Sequence, residues 1–342
     1  MAGHVQRPVN RPPDNSADTG WMERPTHEDV AAFLAQHSGG TASDLEPLTG
    51  GAFSSAWAYR AGEEQLVIRF GPERSWYEVD RMAIAFSGPD LPVPQIKEVG
   101  TTPTGRAYAI SVRHHGRFLE DTPVERAHAV AATLTRLLLA LYRVPASPGI
   151  PVRWHPAGAP VRSWREFVLA RLVDDPGSPG HGWRAALDAD PRLAVLSAAV
   201  CERVRLLAEA CTERRDLIHG DLLHGNVLVS PDCRRVEAVL SWKRSLRGDF
   251  LYDAAWCSVW GHVFYPGIAA IDPLSGLLQD AGLRADQGAV VDAAVRHHCY
   301  ELQIGITHLG WCLRTWNQAH VAATAELLAD ILERGPLPST GA

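Results

Sequence analysis

An aspartate and an asparagine five residues apart, Asp221 and Asn226, sit in the run Leu217-Ile218-His219-Gly220-Asp221-Leu222-Leu223-His224-Gly225-Asn226-Val227-Leu228-Val229, between two apolar segments. A carboxylate can take the proton of a substrate hydroxyl, and an amide oxygen can hold a hard cation beside phosphate groups. Both on one rigid loop form the pairing that phosphoryl transfer needs. The alternative, a chance turn carrying polar residues, explains the combination less well. His219 is expected to brace the loop by hydrogen bonds rather than to carry protons. His224, between the two functional positions, is open to either role.

Other candidates are less specific taken singly. Gly50, Gly51 and Ser54 lie between two short β-like runs, where backbone N–H groups can approach phosphates closely; a plain hairpin is the competing reading. Arg69 ends the otherwise apolar run Leu66-Val67-Ile68-Arg69-Phe70, and its forked donor set suits a phosphate. Glu78 or Asp80 on the following helix is its expected partner, against the plain alternative of solvated surface charges. Asp249 and Asp253 are expected to cap free N–H groups where a helix begins. Trp256, Trp260, Trp311 and Trp316 read first as core and second as a surface on which a sugar ring could stack. Glu301 could meet an ammonium group of a substrate.

Around these residues the patterning changes from strand to helix. Thr26-His27-Glu28-Asp29 before Val30, Phe33 and Leu34 predicts an N-capped helix. Strands are predicted at about 45–48, 55–60, 65–70, 96–100 and 107–112, with a helix from about Tyr77 to Phe86 between the third and fourth. From Pro123 the spacing of Val130, Leu134, Leu137, Leu138 and Leu141 gives one apolar stripe. Further helices are predicted at about 163–173, 191–212, 251–263, 288–314 and 318–333, with strand character only at about 217–241. The loops 145–160 and 174–182 are candidates to border a substrate cleft.

The fold class is therefore α+β, with a β-rich N-lobe and a mainly helical C-lobe. The boundaries read as a flexible segment 1–24, an N-lobe 25–113, a C-lobe 114–335 and a flexible tail 336–342. Net charge -6 and no Lys/Arg run argue against nucleic acid. Six scattered cysteines without a C-x-x-C pair indicate neither a zinc site nor a disulfide scaffold. With no apolar leader or membrane span in sight, the expectation is a cytoplasmic protein, monomeric or weakly dimeric.

Together these features resemble the aminoglycoside phosphotransferase family, whose fold is like that of eukaryotic protein kinases. The resemblance is carried by His219-Gly220-Asp221 to Asn226-Val227-Leu228, an apolar strand, Trp242, and Gly248-Asp249 with Tyr252-Asp253. Ile110-Ser111-Val112-Arg113 with Gly116, and Ser163-Trp164-Arg165-Glu166-Phe167, are most similar to the hygromycin B phosphotransferases within it. The resemblance implies a bilobal protein-kinase-like fold with ATP between the lobes, Asp221 as base, Asn226 as magnesium ligand and Arg69 as phosphate contact. It also implies a nucleotide-binding set of Gly50, Gly51, Ser54, Arg69, Glu78, Ser111 and Val112.

The same resemblance implies a second metal ligand, an aspartate, at position 241, where this chain carries Ser241, with Lys243 adding positive charge nearby. The leading expectation is an ATP- and Mg2+-dependent O-phosphotransferase acting on an aminoglycoside or related sugar, in resistance or biosynthesis. Its acceptor would lie near Trp256, Trp260 and Glu301. The alternative is a kinase-like protein of impaired or repurposed chemistry that binds nucleotide or sugar without transfer. Small-alcohol kinases share the fold and differ mainly in acceptor.

Overall fold

The computed structural model describes residues 24–48, 54–145, 161–176, 181–265, 268, 274, 276–277, 287–314 and 318–336. The chain divides into two compact units, one of residues 1–74 with 96–113, the other of 75–95 with 114–342.

In the first unit, helix α1 (His27–His37) starts on a reciprocal cap. The Thr26 hydroxyl accepts from Asp29 N (3.2 Å), and the Asp29 carboxylate accepts from Thr26 N (2.8 Å). Strands β1 (Ala42–Leu48), β2 (Ser55–Ala61), β3 (Glu64–Gly71), β4 (Ile96–Thr101) and β5 (Ala107–Val112) form one antiparallel sheet in the order β1-β2-β3-β5-β4. Alternation sorts the sheet's faces. Trp57, Tyr59, Leu66, Ile68, Phe70, Tyr108 and Ile110 pack with Val30 and Leu34 of α1 in one buried cluster. On the opposite face Arg69 is flanked by small residues, in register with Ala56 on one side and Ala109 on the other.

The second unit begins with α2 (Arg74–Ala83). Although the sequence reading assigns this stretch to the N-lobe, residues 75–95 cluster with the C-terminal elements. Two bonds show why: Trp242 N donates to the Asp80 carboxylate (2.6 Å), and Val239 N to the Pro92 carbonyl (2.7 Å). Then follow β6 (Arg117–Phe118), α3 (Ala127–Arg143), α4 (Trp164–Ala170), α5 (Trp183–Asp188) and α6 (Pro191–Leu207). α3 buries the predicted stripe; Ser163 caps α4, and Asp190 with Pro191 starts α6. β7 (Asp216–Ile218), β8 (Val227–Val229), β9 (Val236–Val239) and β10 (Leu246–Gly248) frame the loop that carries Asp221. They pair as β10-β7 and β6-β8-β9. Helices α7 (Leu251–Phe264), α8 (Gln287–Arg314) and α9 (Gln318–Arg334) complete the unit.

A buried polar chain joins these elements. Trp164 Nε1 donates to the Tyr300 hydroxyl (2.8 Å), which donates to Asp249 (2.7 Å), and Asp249 also receives the Arg296 guanidinium. Gly248 beside it has no room for a side chain, because a Cβ there would lie 2.1 Å from the Trp164 ring. Asp249 is fully buried against the Arg296 guanidinium, so removing that partner is costly. Arg296→Met should destabilise the chain by about 3 kcal/mol, read as a lower urea midpoint, with Arg214 at 3.8 Å limiting the loss. An unchanged midpoint would show that the pair contributes nothing.

All six cysteines are free and buried. Among the described residues no helix is long and apolar enough to cross a membrane.

Candidate active site

The loop between β7 and β8 is held from three directions. Asp253, in the first turn of α7, accepts from His219 N and Gly220 N, both at 2.8 Å. It was expected to cap its own helix; instead it clamps a distant loop, and Asp249 supplies the cap-like contact, to Leu251 N (3.2 Å). The His219 ring bridges the loop to Leu240, the residue that follows β9. Its Nδ1 accepts from Asp221 N (3.2 Å), so Nε2 carries the proton and donates to the Leu240 carbonyl (2.9 Å). Burial lowers its pKa, and the ring stays neutral. Gly220 turns at φ +74, where a Cβ would meet the Arg244 carbonyl at 2.9 Å.

Asn226 closes the loop from inside. Its Nδ2 donates to the carbonyls of Asp221 (2.7 Å) and Leu223 (2.9 Å). That fixes the amide's orientation and leaves Oδ1 as a hard oxygen that fits a cation. The Asp221 carboxylate lies against His224 Nδ1 at 3.0 Å. Burial alone would raise its pKa, but the His224 hydrogen bond and the charge of Arg244 outweigh this and lower it. An ionised carboxylate so placed can accept a proton from a hydroxyl.

Ser241 follows Leu240, whose N–H bonds the Asn226 carbonyl (2.7 Å), so the ladder places position 241 beside the loop. Its backbone is left-handed at φ +62. A neutral hydroxyl stands where the family resemblance implies a carboxylate. Among the described residues no group of three or more His, Cys, Asp or Glu side chains is arranged to hold a metal ion. A magnesium ion held here would depend on Asn226 Oδ1, the Ser241 hydroxyl and the phosphates it accompanies. The charge expected from Lys243 is directed elsewhere, since its Nζ lies 4.0 Å from the Trp76 ring centroid. Of the two acids on α2, the buried one is Asp80, which holds Trp242 N; Glu78 is partly exposed and pairs with Arg81.

Trp256 and Trp260, one turn apart on α7, reach the same loop. His224 stands edge-on to Trp260 at 4.2 Å and to Trp256 at 6.1 Å, and Trp260 also faces His308 of α8 at 3.9 Å. Trp256 Nε1 is buried with no hydrogen-bond partner among the described residues. Glu301 is placed otherwise. Both its oxygens accept from Arg334 at 2.8 Å, and His297 lies 3.6 Å away, so the structure gives it counter-charges within the chain. Burial would raise its pKa, but His297 and Arg334 bring it down to about 2.

Sequence reasoning missed Glu120 and Arg244. Glu120 accepts from Gly225 N, and burial raises its pKa to about 6. Arg244 lies over Trp256 at 5.2 Å and lowers the Asp221 pKa. Neither carries a spacing signal, because contacts from a distant strand end and from a turn have no period.

In the first unit, Arg69 and Ser111 share the sheet face opposite α1, by the registers Arg69–Ala109 and Val67–Ser111. Val112, of opposite parity, turns its side chain to the other face. Ser54 immediately precedes β2, and Gly50 and Gly51 lie outside the described residues.

Comparison with known proteins gives this geometry its context. Residues 44–286 match the model of the APH, or phosphotransferase enzyme, family. Hygromycin-B 4-O-kinase of Escherichia coli is 28% identical over 244 residues, covering 70% of this chain and 69% of that one. The crystal structure of aminoglycoside phosphotransferase APH(4)-Ia superposes with TM-score 0.73 at 25% identity, covering 91% of this chain and 99% of that one. A thermostable mutant of the same enzyme, in ternary complex with AMP-PNP and hygromycin B, superposes with TM-score 0.72 at 26% identity, covering 89% and 98%. Family model, relative and solved structures agree: the chain belongs to the aminoglycoside phosphotransferase family, a family of phosphotransferase enzymes of kinase-like fold.

Proposed function

We propose that the chain transfers the γ-phosphoryl group of ATP to a hydroxyl of an aminoglycoside, with Asp221 as the base. The observation that carries this reading is the Asp221 carboxylate itself. It accepts from His224 Nδ1 (3.0 Å), on a loop clamped by Asp253 and closed by Asn226. A base that is already fixed needs little reorganisation when the hydroxyl arrives.

In this reading the hydroxyl gives its proton to Asp221 as its oxygen attacks the γ-phosphorus, and ADP leaves. Asn226 and Ser241 would hold magnesium, which when bound would offset charge on the transferring group. Arg69, with Gly50, Gly51, Ser54, Ser111 and Val112, serves the nucleotide. Asp80 replaces Glu78 in this scheme, because the buried acid is the one that fixes the segment bearing Ser241. Trp256 and Trp260 form the acceptor's aromatic wall, whereas Glu301 is left to α9. Hygromycin B is the first acceptor to test, since it is bound in a solved relative's ternary complex.

The test is nucleotide consumption by purified protein with magnesium and a panel of aminoglycosides, with mass spectrometry of each acceptor. One added phosphoryl group on hygromycin B or another member of the panel is the expected result. Ser241 favours a second reading, in which nucleotide or sugar is bound without transfer. Measurable nucleotide binding with every acceptor unmodified would establish that reading instead.

A further inference from the structure

We propose that His224 is a positioning residue for phosphoryl transfer, donating through Nδ1 to Oδ1 of Asp221 so that Oδ2 alone faces the acceptor hydroxyl. The inference rests on the reading of Asp221 as the base.

Three observations carry it. The first is the contact: Nδ1 lies 3.0 Å from Oδ1, the one hydrogen bond to this carboxylate among the described residues. An ionised carboxylate has no hydrogen to give, so the proton in this bond belongs to the ring. The second is the backbone. His224 is at φ +66, a left-handed conformation that few residues other than glycine adopt. This turn folds the ring back over a residue three positions earlier. The third is the ring's surroundings. Trp260 at 4.2 Å, Trp256 at 6.1 Å and Tyr265 at 6.2 Å meet it edge-on, and its Nε2 is buried with no partner among the described residues. The ring is thus held by the α7 wall on one side and presents a single donor to the base on the other.

The loop's other side-chain bonds act on its backbone: Asp253 on His219 N and Gly220 N, His219 on Asp221 N, Glu120 on Gly225 N, and Asn226 on the carbonyls of Asp221 and Leu223. Those bonds place the Cα of Asp221 and leave χ1 and χ2 undetermined. His224 is the group that sets them. Without it the carboxylate swings among rotamers, and the fraction aimed at the hydroxyl falls.

The experiment compares three substitutions with Asp221→Asn as reference. His224→Phe keeps an aromatic ring against Trp260 but removes the donor. His224→Gly removes the ring and relieves the left-handed backbone. His224→Asn keeps a short donor and tolerates φ above zero. Expected are a kcat lower by on the order of 10- to 100-fold in His224→Phe and His224→Gly, with nucleotide KM within about 2-fold. His224→Asn should recover most of that loss. In the Asp221→Asn background, His224→Phe should add nothing, because it acts through the carboxylate. If Asp221→Asn is inactive while His224→Phe and His224→Gly keep their kcat, the positioning role is wrong and the base stands. If Asp221→Asn itself turns over normally, the reading of the base fails first. Equal losses in His224→Asn and His224→Phe, or a KM effect alone, would also overturn the proposal.

Discussion

Asp221→Asn should abolish phosphoryl transfer, lowering turnover by on the order of 1000-fold or more, and leave the fold intact. The two side chains have the same shape, so the loop loses no volume. The backbone bonds from Asp253, His219 and Asn226 do not involve the carboxylate, and the Asn oxygen can still accept from His224. What disappears is the proton acceptor. The hydroxyl must then attack with its proton still attached, or pass it to water that has no fixed place. Product mass spectrometry and circular dichroism on the same preparation check both halves of the prediction. Undiminished transfer in a folded variant would remove Asp221 from the role of base.

Ser241→Asp should raise turnover by on the order of 100-fold or more and lower the magnesium concentration needed for half-maximal rate. The reasoning is local. A carboxylate brings a full charge and two oxygens where a hydroxyl brings one neutral oxygen. Position 241 is left-handed at φ +62, and aspartate adopts that conformation more readily than serine. The two cations that follow in the chain lie over aromatic rings, Lys243 over Trp76 and Arg244 over Trp256. A magnesium titration of wild type and variant gives the readout. No gain in rate and no shift in the magnesium midpoint would show that the site has been remodelled beyond this one ligand.

The Asp221–Asn226 loop was legible because its chemistry is written at short range. Six residues span the proposed base and the amide, and the apolar runs on either side give β7 and β8. The helix caps were legible for the same reason, since Thr26 and Asp29 act within one turn. What escaped were interactions that cross long stretches of sequence. Glu301 reads as a free acid until α9 brings Arg334 to it from 33 residues away. Lys243 reads as a charge near a metal until Trp76 appears beneath it. β10, with three residues, and α5, with six, are too short to show a period. Asp80 did leave a trace. It lies between Tyr77 and Ala83 on the buried face of α2, and an acid on an apolar stripe asks for a partner.

The six buried thiols have a practical consequence. They sit in α6 (Cys201), just after it (Cys211), in the β8–β9 turn (Cys233), in α7 (Cys257) and twice in α8 (Cys299, Cys312). None can meet an alkylating reagent unless its surroundings open, so the rate at which each gains a label reports the opening of its own element. The C-terminal unit therefore carries six native clocks, readable by peptide mass without any engineered probe, and the N-terminal unit, which has no cysteine, stays silent in the same experiment.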